Sequence, residues 1–155
     1  MRITDILRPE LVLPALDSED KASTLREFSR ALAERLEGAH TTESTIESAL
    51  AAREKLGSTG VGEGVAIPHT KLPGLTSLVA AFGRSKKGIA FDAIDNQPVR
   101  LVFVLLVPED SAGAHLKALA RISRLLKDND FRRSLLDGTD RESLYEAFVA
   151  RDAAS

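Results

Sequence analysis

The sequence predicts an α/β fold, a small mixed β-sheet flanked by helices on both faces, in a single domain. Apolar residues recur at helical spacing in the long segments and cluster in short β-rich runs between them. The 155 residues fit one compact domain. A chain of this length buries about 70% of its unfolded surface and needs no disulfide or metal to fold.

The elements follow in order. Leu11 to Leu16 is a short apolar run broken by Pro14, read as an edge strand. Asp17 and Ser18 are candidate caps for a helix from Lys21 to Leu36, whose Leu25, Phe28, Leu32 and Leu36 share a face and which Gly38 stops. Thr41 or Thr42 caps a second helix reaching Leu56 and ended by Gly57. Its stripe holds Ile46, Ala49, Leu50 and Leu56, with Arg53 on the same face. The segment 58–64 is a loop by composition, and Val65-Ala66-Ile67 is a short buried strand running into Pro68-His69. After a turn at Pro73-Gly74, Leu78 to Phe82 and Val99 to Val107 are strands, separated by turn residues from Phe91 to Pro98. A third long helix opens at Pro108, capped by Asp110 or Ser111, with His115, Leu119, Ile122 and Leu126 in line. A short helix from Asp128 to Leu136 and an amphipathic one from Asp140 to Ala150 follow, the latter turning Leu144, Phe148 and Tyr145 inward. Residues 1–150 form the domain, and 151–155 are expected to fray.

Composition removes whole classes of function. There are no cysteines, which excludes a disulfide scaffold, a thiolate zinc site and a cysteine nucleophile. The net charge of −2 does not suggest nucleic acid as a partner. No apolar run approaches the ~18 residues that cross a bilayer, and the opening Met1-Arg2-Ile3-Thr4-Asp5 lacks a signal-peptide core. The expected compartment is the cytoplasm, with no membrane insertion.

The chemistry centres on the loop that ends in histidine. Gly60, Gly62 and Gly64 invite a nucleotide-binding reading, yet the Gly-Lys-Ser/Thr of a Walker loop is absent. The dinucleotide fingerprint needs another glycine interval and a preceding strand rather than a helix. Two readings of the glycines stay open: tight turning, or close approach of backbone N–H groups to an anion. His69 follows Pro68 at the end of a buried strand, where a rigid backbone presents a side chain well; the alternative is an ordinary surface histidine.

Arg53 and His115 break two apolar stripes, Arg53 one turn before this loop and His115 near a helix N-terminus. A guanidinium fork suits phosphate oxygens, a helix N-terminus favours negative charge, and imidazole can carry a group covalently. Together they outline a pocket for a transferable phosphoryl group. The competing structural reading pairs Arg53 with a buried carboxylate and bonds His115 to the backbone. A metal site would need a third ligand, Glu63 or Asp110, and the sequence has no His-x-x-x-His pair. No metal and no cofactor are expected. His40 lies in a polar interhelix loop and is assigned no role.

These residues also resemble a known family. Gly64-Val65-Ala66-Ile67-Pro68-His69 is similar to the active-site signature of the fructose/mannitol-type IIA proteins of the bacterial phosphotransferase system. Arg53-Glu54-Lys55-Leu56-Gly57-Ser58-Thr59 matches upstream, and His115-Leu116 matches after Val107-Pro108. Phe91-Asp92-Ala93-Ile94-Asp95-Asn96-Gln97-Pro98-Val99 resembles the nitrogen-regulatory branch. The resemblance covers nearly the whole chain. It implies a phosphotransferase-type component in which His69 accepts a phosphoryl group from a phosphohistidine on an HPr-like carrier, itself charged through enzyme I from phosphoenolpyruvate. It implies that Arg53 and His115 line the pocket, and it places Ser58 and Thr59 on the matching phosphate-binding loop. It implies a signalling output, phosphorylation-dependent binding to targets such as potassium-transport or sensor-kinase proteins. The alternatives are a sugar-transport IIA that passes phosphate to a IIB component, a non-reactive binding module, and a metal hydrolase. The chain departs from the family at Thr70, where glycine usually follows the active histidine. Threonine restricts the backbone there and could alter the local turn and partner docking.

Overall fold

The computed structural model describes residues 1–36, 41–111 and 113–154. A 3-10 turn at Ile3–Asp5 leads into β1 (Leu7–Leu13), α1 (Lys21–Arg35) and α2 (Glu43–Glu54). The strands β2 (Gly60–Gly62), β3 (Val65–Ala66), β4 (His69–Leu72), β5 (Val79–Ile89) and β6 (Val99–Pro108) follow. The chain closes with α3 (Ala114–Lys127), α4 (Asn129–Asp137) and α5 (Arg141–Ala154).

The sheet is mixed, in the order β1-β5-β6-β3-β2, with β4 also on β6. β5 and β6 form its antiparallel centre, while β1 runs parallel to β5, and β3 and β4 run parallel to β6. Side chains alternate across a strand, so β6 serves two cores. Leu101, Phe103, Leu105 and Val107 pack with residues of α3, α4 and α5. Val102, Val104 and Leu106 pack with Leu25, Phe28 and Leu32 of α1 and Ile46 and Leu50 of α2. The result is the expected small mixed sheet with helices on both faces.

β3 and β4 follow one edge of β6 in a single register. Val65 stands beside Leu101 and Ala66 beside Val102, and on the far side of Ile67-Pro68 His69 stands beside Leu105. Proline has no N–H to give, but the Pro68 carbonyl accepts from the Leu105 N–H at 2.9 Å. The interruption therefore breaks the strand without shifting it, and His69 begins the segment that resumes.

The structure corrects several sequence expectations. β1 starts at Leu7 and ends before Pro14. The cap of α1 is Asp20, whose carboxylate accepts from the Ser23 N–H at 2.8 Å. Asp17 and Ser18 instead give their N–H groups to Glu27. Thr42 caps α2, which ends at Glu54 and leaves Leu56 outside the stripe and 84% exposed. The glycine loop contains β2, hairpinned to β3. β5 continues well past Phe82 because Arg84 is buried there, donating to the carbonyls of Pro14, Leu135, Leu136 and Gly138. α3 starts at Ala114 with no side-chain cap, since the Ser111 hydroxyl donates to the Pro108 carbonyl at 3.0 Å. The expected frayed tail is helical through Ala154. Asp152 anchors it, buried and accepting from the N–H groups of Ile3 and Thr4, the Thr4 hydroxyl and Arg121. Gly38 and His40 lie outside the described residues.

Candidate functional site

A cavity of about 440 Å³ opens where the end of α2, the start of β4 and the first turn of α3 meet. Arg53, His69 and His115 all line it, with Ala49, Leu56 and Thr70 beside them. Each arrives by a different route. His69 stands at the first position of β4, fixed by Pro68 and the β6 register. Arg53 sits in the last turn of α2, and its guanidinium donates to the Gly57 carbonyl at 3.0 Å. That bond folds the side chain over the turn that leaves the helix. His115 is in the first turn of α3, where its Nδ1 lies 3.1 Å from the Ser111 carbonyl oxygen.

His69 Nδ1 lies 2.7 Å from the carbonyl oxygen of Ile67. A carbonyl only accepts, so Nδ1 carries the proton and the lone pair of the neutral ring sits on Nε2. Burial lowers the His69 pKa below the ordinary imidazole value, and the neighbouring Arg53 and His115 add to the lowering. The Ile67 carbonyl and the Glu54 carboxylate oppose it without reversing it. The ring is thus held neutral with a defined free nitrogen, the state a nitrogen nucleophile needs.

Thr70 faces the same cavity from β4, next to Leu106 of β6. Its backbone is not in the positive-φ region. An extended strand position suits a β-branched residue, so Thr70 sits there without backbone strain.

Ser58 and Thr59 do not line the cavity. The Ser58 hydroxyl donates to the Phe91 carbonyl at 3.2 Å and accepts from the Gly60 N–H at 3.0 Å. Thr59 gives both its N–H and its hydroxyl to Glu54. Of the two open readings of the glycines, turning is the one with visible geometry: Gly62 and Gly64 have φ of +98° and +77°. At Gly60 a Cβ would come within 2.9 Å of the Ala93 backbone. Glu63 forms an ion pair with Arg132 on another cavity. Among the described residues no cluster of three His, Asp or Glu groups could hold a metal.

Glu54 is the residue the sequence reading missed. It is 8% exposed, pairs with Lys21 Nζ at 3.1 Å and holds Thr59, so it ties α1, α2 and the loop together one residue after Arg53. The signal was present: Glu54 follows Ile46 and Leu50 at four-residue steps, on the face that is buried. Among the described residues Arg53 pairs with no carboxylate and instead caps a turn, whereas His115 does bond the backbone.

The sequence profile described as "Phosphoenolpyruvate-dependent sugar phosphotransferase system, EIIA 2" matches residues 5–150. The chain belongs to this family, and membership supports a phosphocarrier role. It is 44% identical over 155 residues to the "Nitrogen regulatory protein" of Bradyrhizobium diazoefficiens, spanning 100% of this chain and 99% of that one. It is 32% identical to the "PTS system fructose-specific EIIABC component" of Bacillus subtilis, over 98% of this chain but 24% of that protein. The crystal structure of nitrogen regulatory protein IIA-Ntr from Neisseria meningitidis superposes with a TM-score of 0.87 at 33% identity, covering 94% of this chain and 98% of the other. Among the described residues no helix is long and apolar enough to cross a membrane.

Proposed function

We propose that His69 accepts a phosphoryl group on Nε2 from a phosphohistidine of an HPr-like carrier, and that the chain works mainly as a regulator through phosphorylation-dependent protein binding. The observation that carries the acceptor is the Ile67 carbonyl on Nδ1, which leaves Nε2 as the nucleophile. In the transfer the donor's N–P bond breaks as the bond to Nε2 forms, and the donor imidazole recovers its lone pair. His69 then holds a positive ring beside its phosphoryl group, and the Ile67 carbonyl stabilises that charge through the Nδ1–H. Arg53 supplies positive charge to the equatorial oxygens. His115 donates to them from Nε2 when its ring carries both protons. Ser58 and Thr59 act through the loop, by way of Glu54 and the Phe91 carbonyl, rather than on the phosphate.

A macromolecular donor fits the surroundings. Leu56 and Leu116 are 84% and 61% exposed beside the site, an apolar rim for a protein partner. Phosphorylation adds about −1.5 to −2 charges within that rim, which changes what docks there. The relative named as a nitrogen regulatory protein favours a regulatory output, and the targets proposed for it are potassium-transport or sensor-kinase proteins. The relative named as a fructose-specific component favours a second reading, transfer onward to a sugar IIB.

The test is intact mass after incubation with phosphoenolpyruvate, enzyme I and an HPr-like carrier. A single acid-labile phosphoryl adduct is expected on the wild type and not on His69→Ala. An adduct that persists on His69→Ala overturns the acceptor, and no adduct on the wild type with competent donors makes the chain a non-reactive binding module. Rapid transfer from the phosphorylated protein to a fructose-type IIB would replace the regulatory reading with transport.

A further inference from the structure

A second cavity, of about 500 Å³, lies between the β2–β3 hairpin and the C-terminal half of α3. Of the residues assigned above to the phosphoryl site, Ile67 lines it with its side chain, while Arg53, His69 and His115 do not. Its volume is in the range of small-molecule sites. Val61, Val65, Ile67 and Leu126 form apolar walls, and Arg132 and Lys127 bring two positive charges. We propose that this cavity binds a small organic anion, an acid head on a short apolar body.

Arg132 is the anchor. It is 9% exposed, an unusual place for a guanidinium. It donates to the Leu126 carbonyl at 2.8 Å, to Glu63 at 2.5 Å and to Asn129. Those bonds use three of its five N–H donors, so among the described residues donors remain for an incoming acid. Lys127 carries no ion pair among the described residues and adds a second positive charge at the same wall. Two cations face one carboxylate, Glu63, so the lining carries a net positive charge that favours an anion.

Glu63 occupies the place such an anion would take. Its side chain is 70% exposed and its backbone has φ of +58°, a conformation uncommon outside glycine. It is held by its N–H, which donates to Asp95 at 3.0 Å. A carboxylate mostly in water gains little from its ion pair and is readily exchanged for one carried by a ligand whose apolar body also fills the cavity. The occupant would touch the Ile67 side chain, whose carbonyl fixes the His69 ring.

The experiment is a titration of the full-length 15N-labelled protein with hexanoate, followed by amide shifts, without donor proteins. It is therefore independent of whether His69 is phosphorylated. Saturable shifts are expected at Val61, Val65, Ile67 and Leu126, with hexanol and acetate each binding at least roughly fivefold more weakly. Lys127→Gln should weaken hexanoate binding, and Glu63→Gln, which removes the competing carboxylate, should tighten it. Equal binding of hexanol, shifts that do not saturate or scatter over the surface, or weaker binding by Glu63→Gln would each overturn the proposal.

Discussion

Two hydrogen bonds at the level of single residues carry the proposed chemistry and its support. The first, from His69 Nδ1 to Ile67, settles which nitrogen is free, and burial keeps the ring neutral. With the folded pKa below the usual value of about 6.5, the neutral form persists as pH falls to that value and is lost only lower. Phosphoryl acceptance should therefore stay level from pH 8 to about 6.5 and decline in more acid solution. NMR titration of the His69 ring checks this, and a midpoint at or above about 6.5 contradicts it. Arg53→Gln removes a charge that lowers this pKa, so the midpoint should move upward. The second bond, from Thr59 to Glu54, holds a buried carboxylate that also meets Lys21. Glu54→Ala strands the buried Thr59 N–H and should cost about 3 kcal/mol in urea unfolding; unchanged stability would show that the network carries no load. Residue types singled out His69, Arg53 and His115 as candidates, because each is out of keeping with its apolar neighbours, and the fold brings the three to one cavity. Glu54 hid because an acidic residue at a helix end reads as solvated.

At the scale of elements, long helices and the apolar β6 were legible from periodicity alone, and the misplacements in β5, the glycine loop and the end of α5 came from tertiary contacts overriding a local signal. β5 looked too polar to continue past Phe82, and Arg84 explains why it does: four backbone carbonyls from distant segments surround its guanidinium. β2 looked like a loop because it is glycine-rich. Gly60 is there for close approach, since a Cβ would meet both the Cα and the Cβ of Ala93 at 2.9 Å. Gly60→Ala should push the hairpin away from residues 91–98 and destabilise the fold by about 1–3 kcal/mol. In a domain of this size that lowers Tm by roughly 2–4 °C per kcal/mol, readable by circular dichroism. A wild-type Tm would mean that the contact relaxes freely. The α5 terminus was misread for a similar reason. Nothing local distinguishes Asp152 from a frayed acid, and its partners Ile3 and Thr4 lie at the other end of the chain.

Across the whole molecule, one sheet separates two cores, and the alternation of β6 binds them into a unit. Phe148 of α5 sits at the centre of the larger core, with ring centroids 5.1 Å from Phe82, 5.9 Å from Phe103 and 5.2 Å from Phe131. Phe82 and Phe103 are strand residues whose immediate neighbours, Ala81, Val102 and Val104, point into the other core. Phe148→Ala should remove about 3–5 kcal/mol. The loss cannot stay on one face, because loosening Phe103 loosens the same backbone that carries Val102 and Val104 against α1 and α2. Hydrogen exchange under native conditions distinguishes the cases. If the sheet couples the layers, the slowest amides of α1, β6 and α5 should all accelerate by the same factor in Phe148→Ala. If only α3, α4 and α5 accelerate while α1 and α2 keep their wild-type protection, the two cores unfold separately. The site at the junction of α2, β4 and α3 would then rest on a boundary between independent units rather than on a single rigid body.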